Sequence, residues 1–270
     1  YPVLAAIKCE HTDFTNYQGD EISTVLDSAK QFPLALKFES TRAFVVLNQG
    51  LDDRVKPGME VLAINGESLA EILQRILQNL SQDGDIRTGQ MWNLGFNRGF
   101  QRPRRPGRTG FSDSYRLYIG DPASFKTTLR DLHTQKTVDV ELAGVTNAEA
   151  AVNAEKNLVN RDVLTGIKPL QDLGQKLSIR YLDGESTAIL RIPVFSDFGD
   201  FLAKSFAELK SNGTKNLIID LQGNRGGYDV SCPLLFSYLA EKEFRINERI
   251  HMPTYQPSFK QYTDREFTPA

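Results

Sequence analysis

From Phe32 onward the chain alternates apolar and polar positions in short runs. FPLALKF, AFVVLN and VLAIN are rich in Val, Ile, Leu and Phe, which predicts three β-strands. Lys56-Pro57-Gly58 is a turn signal between the second and third, and Asn65-Gly66 closes the third with a tight-turn dipeptide. The period then lengthens. Leu69, Ile72, Leu73, Ile76, Leu77 and Leu80 share one face of a helix that Ser68 is placed to cap. Ser81 to Ser114 is rich in Gly, Arg and Pro and reads as a long insertion. Beyond it SYRLYI, FKTTLRDL and TVDVEL return to strand-like patterning. Ahead of all this stand a short apolar run, VLAAIKC, and an acidic, Ser/Thr-rich stretch reaching Asp27.

Asn147 to Gly174 is a polar helical connector broken by Gly166 and Pro169. LSIRYL and TAILRIPVF then flank the turn Asp183-Gly184. Ser196 or Asp197 is placed to cap a helix carrying Phe198, Phe201, Leu202, Phe206 and Leu209, which ends at Asn212-Gly213. NLIIDL follows as a continuous apolar strand of the kind buried on both faces. The loop GNRGG leads into a second helix with Leu234, Leu235, Tyr238 and Leu239. Strand, helix, strand, loop and helix make a βαβ grammar. These patterns divide the chain into residues 1–27, 28–146, 147–176 and 177–270.

Composition narrows the classes. At 270 residues, 40% hydrophobic and 24% charged, the chain has material for a sizeable core and two domains. A net charge of -2 offers no global field for nucleic acid or anionic membrane, and no nucleic-acid partner is expected. Charge concentrates only at Arg102, Arg104, Arg105 and Arg108, where Pro and Gly interrupt it as in a solvated loop. No apolar run reaches the roughly 20 residues that span a bilayer. Cys9 and Cys232 could form one bridge at most, a count that fixes no compartment.

The chemistry concentrates in DLQGNRGG. Asp220 ends a strand, and Gly226-Gly227 lead toward a helix. Consecutive glycines permit positive φ and close approach by a substrate, and they leave main-chain N–H groups for an anion or an acyl-transfer oxyanion. A dinucleotide fingerprint fails because Arg225 and Tyr228 stand where glycines are needed, and no Gly-Lys-Ser/Thr follows. The alternative is a glycine-rich turn that merely packs.

Asp220 to Gly227 resembles the D-[LV]-R-[GF]-N-x-G-G signature of tail-specific, C-terminal-processing serine peptidases, a family with a tricorn-like branch. Gln222 stands where most members carry Arg, and an amide lacks the guanidinium's fixed charge. KPGMEVLAING resembles the core of the PDZ-like domain these peptidases carry. There Met59 replaces the usual Asp, a change suited to a surface position. Cys9-Glu10-His11-Thr12 is similar to a segment near their start.

The resemblance implies an α+β fold: a PDZ-like β-rich domain at 28–146, with a crotonase-like α/β catalytic region whose front half spans 177–270. It implies His11 as general base and Gly226 and Gly227 as oxyanion donors, with Gly223, Asn224 and Tyr228 lining the substrate. A PDZ-like domain would bind an extended peptide at a sheet edge. In the family the nucleophilic serine follows this segment; Ser231, Ser237 and Ser258 lack its small-residue turn, so a nucleophile downstream of Ala270 is expected. The implied partner is a polypeptide substrate, with no cofactor and no metal. Most bacterial relatives are exported or periplasmic. A non-catalytic scaffold holding a peptide or apolar ligand is the competing expectation.

Overall fold

The structure, a computed structural model, describes residues 2–9, 29–96, 110–166, 176–182, 186–224, 226–247 and 261. Contacts divide the chain into two compact units, Tyr1–Gly174 and Gln175–Ala270. Both α-helices and β-sheets are present, and the fold class is α+β.

The first unit opens with a short helix, α1 (Pro2–Ala5), and is built on β1 (Leu34–Glu39), β2 (Arg42–Asn48), β3 (Glu60–Ile64) and the short β4 (Glu67–Ser68). There follow α2 (Leu69–Leu77), α3 (Arg87–Leu94), α4 (Gly110–Tyr118), β5 (Ser124–Arg130), β6 (Thr137–Ala143) and α5 (Asn147–Lys156). The sheet runs β1-β2-β3-β5-β6, antiparallel throughout, with β4 paired to β3. Asn65 and Gly66 both take positive φ (52° and 84°), the mirror-image turn that suits the twist of a hairpin. Ser68 caps α2 in a reciprocal box with Glu71. The core is aromatic: the Phe32 ring meets Phe125 at 5.2 Å and Phe111 at 5.6 Å.

One carboxylate ties three strands of this sheet together. Glu60, on central β3, is 4% exposed. It accepts from Arg42 on β2 (Nε 2.7 Å, Nη2 3.0 Å) and from Arg130 on β5 (Nε 3.1 Å). The Arg42 side-chain bond is the main force lowering its pKa; burial opposes it, the Arg130 bond adds to it, and the value falls to about 2. A second buried knot joins the connector to the sheet. Asn160, fully buried, accepts from Asn48 N–H at 2.9 Å and donates to the Asn48 and Ala154 carbonyls. These amides satisfy backbone groups where β2 leaves its ladder, which is why residues after α5 dock on this unit.

The second unit has β7 (Ser178–Tyr181), β8 (Thr187–Arg191), α6 (Phe201–Ser211), β9 (Asn216–Asp220) and α7 (Ser231–Ser237). β7 is antiparallel to β8, and β8 is parallel to β9 with α6 as crossover. Leu190, Ile192, Phe198, Leu202 and Leu235 form its small core.

Five expectations change. SYRLYI is helical: read from Phe111, the buried positions Phe111 and Tyr115 recur at a spacing of four, and they form one face of α4. The stretch 81–114, read as a long insertion, contains α3 and the start of α4, while 97–109 with its four arginines lies outside the described residues. Met59 is 7% exposed, not a surface residue, and its sulfur accepts from Lys56 N–H. The helix expected to be capped by Ser196 or Asp197 starts at Phe201, because Asp197 instead accepts from Gly199 N–H at 2.9 Å. Finally, β9 is not buried on both faces. Among the described residues it pairs with β8 alone; Leu217 and Ile219 face the core while Ile218 is 47% exposed.

Two outcomes follow for stability. Glu60→Gln is expected to cost about 2 kcal/mol at pH 7, because two guanidinium groups lose their anion but keep partial access to water. The Glu60 carboxylate is depressed on folding, so its contribution is complete above its ordinary value of 4.5 and disappears as pH falls to about 2. In urea unfolding, the gap between wild type and variant should close across that window. Asn160→Ala leaves three buried backbone groups unpaired and should cost about 3 kcal/mol in the same assay.

Candidate active-site loop

The loop after β9 is shaped by its attachment to the segment after β8. The parallel register sets Arg191 beside Asp220. Arg191 Nη1 pairs with Asp220 Oδ2 at 2.6 Å, and its Nη2 donates to the Gln222 carbonyl at 2.8 Å. The other Asp220 oxygen accepts from Gln222 N–H at 3.0 Å. Burial works to raise the Asp220 pKa; the Gln222 N–H and the Arg191 guanidinium outweigh it and hold the carboxyl below its ordinary value. Gln222 itself has no guanidinium to offer for this role. The guanidinium on Asp220 comes from the neighbouring strand, and only the register between β8 and β9 could have disclosed it.

Leu221 to Asn224 form a turn, with Asn224 N–H donating to Leu221 O at 2.9 Å and Gly223 at φ 75°. A positive φ at that third position is what glycine supplies in such turns. Asn224 then makes a double tie: its Nδ2 donates to Ile192 O at 2.9 Å, and its Oδ1 accepts from Gly226 N–H at 2.7 Å. Asn224 therefore anchors the loop to the segment after β8.

Gly227 continues the parallel alignment as an isolated bridge to Phe195. Phe195 N–H donates to Gly226 O at 2.9 Å, and Tyr228 N–H donates to Phe195 O at 2.6 Å. Both bonds use the residues flanking Gly227, so its own N–H turns away and has no acceptor among the described residues. A Cβ at 227, where φ is 145°, would overlap the Phe195 carbonyl oxygen. The glycine is thus required by the protein's own backbone, a reason different from the substrate approach expected from sequence. The nearby helix differs too: α7 begins only at Ser231, so Gly227 N–H is not one of its terminal donors.

The structure therefore gathers Gly223, Asn224, Gly226, Gly227 and Tyr228 into one loop. Of the two expected oxyanion donors, Gly226 N–H is committed to Asn224, and Gly227 N–H has no acceptor among the described residues. Tyr228 is 62% exposed beside it. Ser231 is buried and donates its hydroxyl to Ser196 O at 2.7 Å, and Ser237 donates to Leu234 O at 2.7 Å. His11, Arg225 and Ser258 lie outside the described residues. Sequence reasoning missed Arg191, Phe195 and the anchoring role of Ser231, all of which act through the loop's attachment to the neighbouring strand.

Alanine substitution should separate the two glycines. Gly226→Ala meets no atom within 4 Å and carries only the strain of φ 92°, about 1 kcal/mol. Gly227→Ala should cost at least about 2 kcal/mol, because the Phe195 bridge has to open. Equal urea midpoints for the two variants would refute this account of the bridge.

No curated protein matches this sequence. A solved structure described as mature CPAF is similar at 16% identity and a TM-score of 0.43, over 77% of this chain and 43% of that one. The chain thus spans less than half the length of that structure. Residues 186–268, the stretch that contains β8, α6, β9, the glycine loop and α7, match the model of peptidase family S41.

Proposed function

We propose that this chain is part of a serine-type peptidase that cleaves polypeptides through an acyl-enzyme, with C-terminal tails of proteins as candidate substrates. The observation that carries the reading is the Gly227 N–H, held in fixed orientation by the Phe195 bridge and left without an acceptor among the described residues. A rigid, unclaimed donor is what an oxyanion hole requires, because its reorganisation cost is met in folding and not during reaction. The family match over residues 186–268 supports the same chemistry. One such donor contributes about 3 kcal/mol to transition-state stabilisation in hydrolases that use it.

In this reading Gly227 is one half of the oxyanion hole, and His11 takes the proton from the nucleophilic hydroxyl and returns it to the leaving amine. Ser231 and Ser237 have hydroxyl hydrogens committed to carbonyls, so the nucleophile is a different serine. Tyr228, exposed next to the donor, contacts the substrate chain, and the β-rich first unit has the PDZ-like role of handling polypeptide. The expectation of an exported protein belongs to the same proposal.

Labelling the complete gene product with a fluorophosphonate, followed by peptide mapping, tests this. Modification of one serine other than Ser231 or Ser237, abolished by His11→Ala, is the expected result. A folded protein that takes no label would exclude acyl-enzyme chemistry and leave the non-catalytic scaffold.

A further inference from the structure

Between α3 and the end of β1 lies a cavity of about 540 Å³, within the roughly 300–1,000 Å³ range of small-molecule sites. Its apolar walls are Phe38, Leu77, Met91, Trp92 and Phe96. These walls are tied to the body of the first unit. Phe38 belongs to its main core, and Leu77 and Met91 pack against that core. α3 is held by Leu94, 1% exposed, and by Gln90, whose Nε2 donates to the Leu77 and Leu80 carbonyls at 3.2 and 2.7 Å. Phe96 N–H donates to the Leu36 carbonyl at 2.7 Å. That bond engages the edge of β1 with the chain itself, so the cavity offers a preformed hollow for a small molecule and no free carbonyl at Leu36 for an added strand.

The polar lining of this cavity has one sign. Among the described residues it consists of Lys37 on β1, Arg87 on α3 and the hydroxyl residues Ser40, Thr41 and Thr88, with no carboxylate. Neither Lys37 nor Arg87 takes part in a salt bridge among the described residues. Asp85, the acid that feels the Arg87 charge, is itself bonded to Lys8 at 2.7 Å. Arg87 also opens α3, whose first turn has no acidic residue and whose start has no side-chain cap. The first N–H groups of a helix carry partial positive charge, which adds to that of the guanidinium. The apolar walls favour a flat body: Phe38, Trp92 and Phe96 present rings, and the Met91 thioether suits contact with a further ring.

We propose that this cavity is a binding site for a small aromatic anion, a carboxylate carried on a flat ring system. The ring system lies among Phe38, Met91, Trp92 and Phe96, where burial of its apolar surface supplies the affinity. The carboxylate stays at the rim, where Arg87 and the start of α3 select it over a neutral or cationic group of the same shape. No backbone rearrangement is needed, because the walls are already held by the core and by Gln90. The site uses the first unit alone and stands or falls independently of the peptidase reading.

Trp92 is the only tryptophan in the chain, so its indole N–H resonance in an isotope-labelled sample reports the cavity directly. The test titrates the wild-type chain with naphthoate, naphthylmethanol and naphthylmethylamine, which share a ring system and differ in charge. Naphthoate should move the indole resonance saturably and bind at least about tenfold more tightly than the alcohol, with the amine weakest. Arg87→Gln should weaken naphthoate about fivefold and leave the alcohol unchanged, and Arg87→Lys should recover most of the loss. The alcohol arm separates lost charge recognition from a damaged cavity. An indole resonance that does not respond to naphthoate would overturn the site, and equal affinities for the three probes would overturn its selectivity for anions. An apolar peptide with a free C-terminal carboxylate that binds more tightly than naphthoate would also overturn the proposal, in favour of peptide recognition.

Discussion

Parallel pairing of β8 with β9 is the constraint on which the candidate site rests. The register that puts Arg191 beside Asp220 delivers a guanidinium to the first residues of the loop, and further along the same alignment resumes at Phe195 and Gly227. Between these points Asn224 stitches the loop to Ile192, and beyond them Ser231 stitches it to Ser196. The loop is consequently held at short intervals, and Gly227 N–H is left pointing outward by the hydrogen-bond pattern of a parallel bridge. The donor is a by-product of the ladder, which gives it fixed orientation without any residue dedicated to aiming it.

The β-rich unit solves a different problem with the same means. Its central strand carries a buried carboxylate that two arginines neutralise from flanking strands, and its connector docks through buried amides that complete broken ladder pairing. An antiparallel sheet leaves unpaired groups at its edges, and these are a standing invitation to other strands. At β1 the invitation is answered from within the chain. The aromatic core anchors α4, and the chain entering that region brings Phe96 to the Leu36 carbonyl.

Much of the local structure was legible in the order of residues. Asn65-Gly66 announced a hairpin turn, Ser68 announced a cap with Glu71 three positions on, and the alternation in FPLALKF and AFVVLN marked their strands. Misreadings came where a short window hid the true period. SYRLYI alternates when taken alone, yet the preceding Phe111 sets a four-residue spacing that buries one helical face. NLIIDL has the composition of a doubly buried strand, but coverage of its second face depends on what packs there, and that is not a property of the six residues. Met59 was misplaced for a similar reason: a position aligned with a polar residue in a motif carries no information about the space behind it.

The sequence by itself determined which residues could make the glycine loop, since positive φ at 223, 226 and 227 favours residues without Cβ and the string GNRGG supplies them. It also determined the α+β character and the strand-helix-strand order leading to that loop. Which N–H remains available was decided only in three dimensions. Gly226 and Gly227 are chemically identical in the sequence, and they part company because Asn224 reaches one while Phe195 turns the other outward. The pairing of the Arg191 guanidinium with Asp220 was likewise a tertiary decision. It required two strands distant in sequence to come side by side in register, a relation set by pairing across the crossover and not by any local pattern.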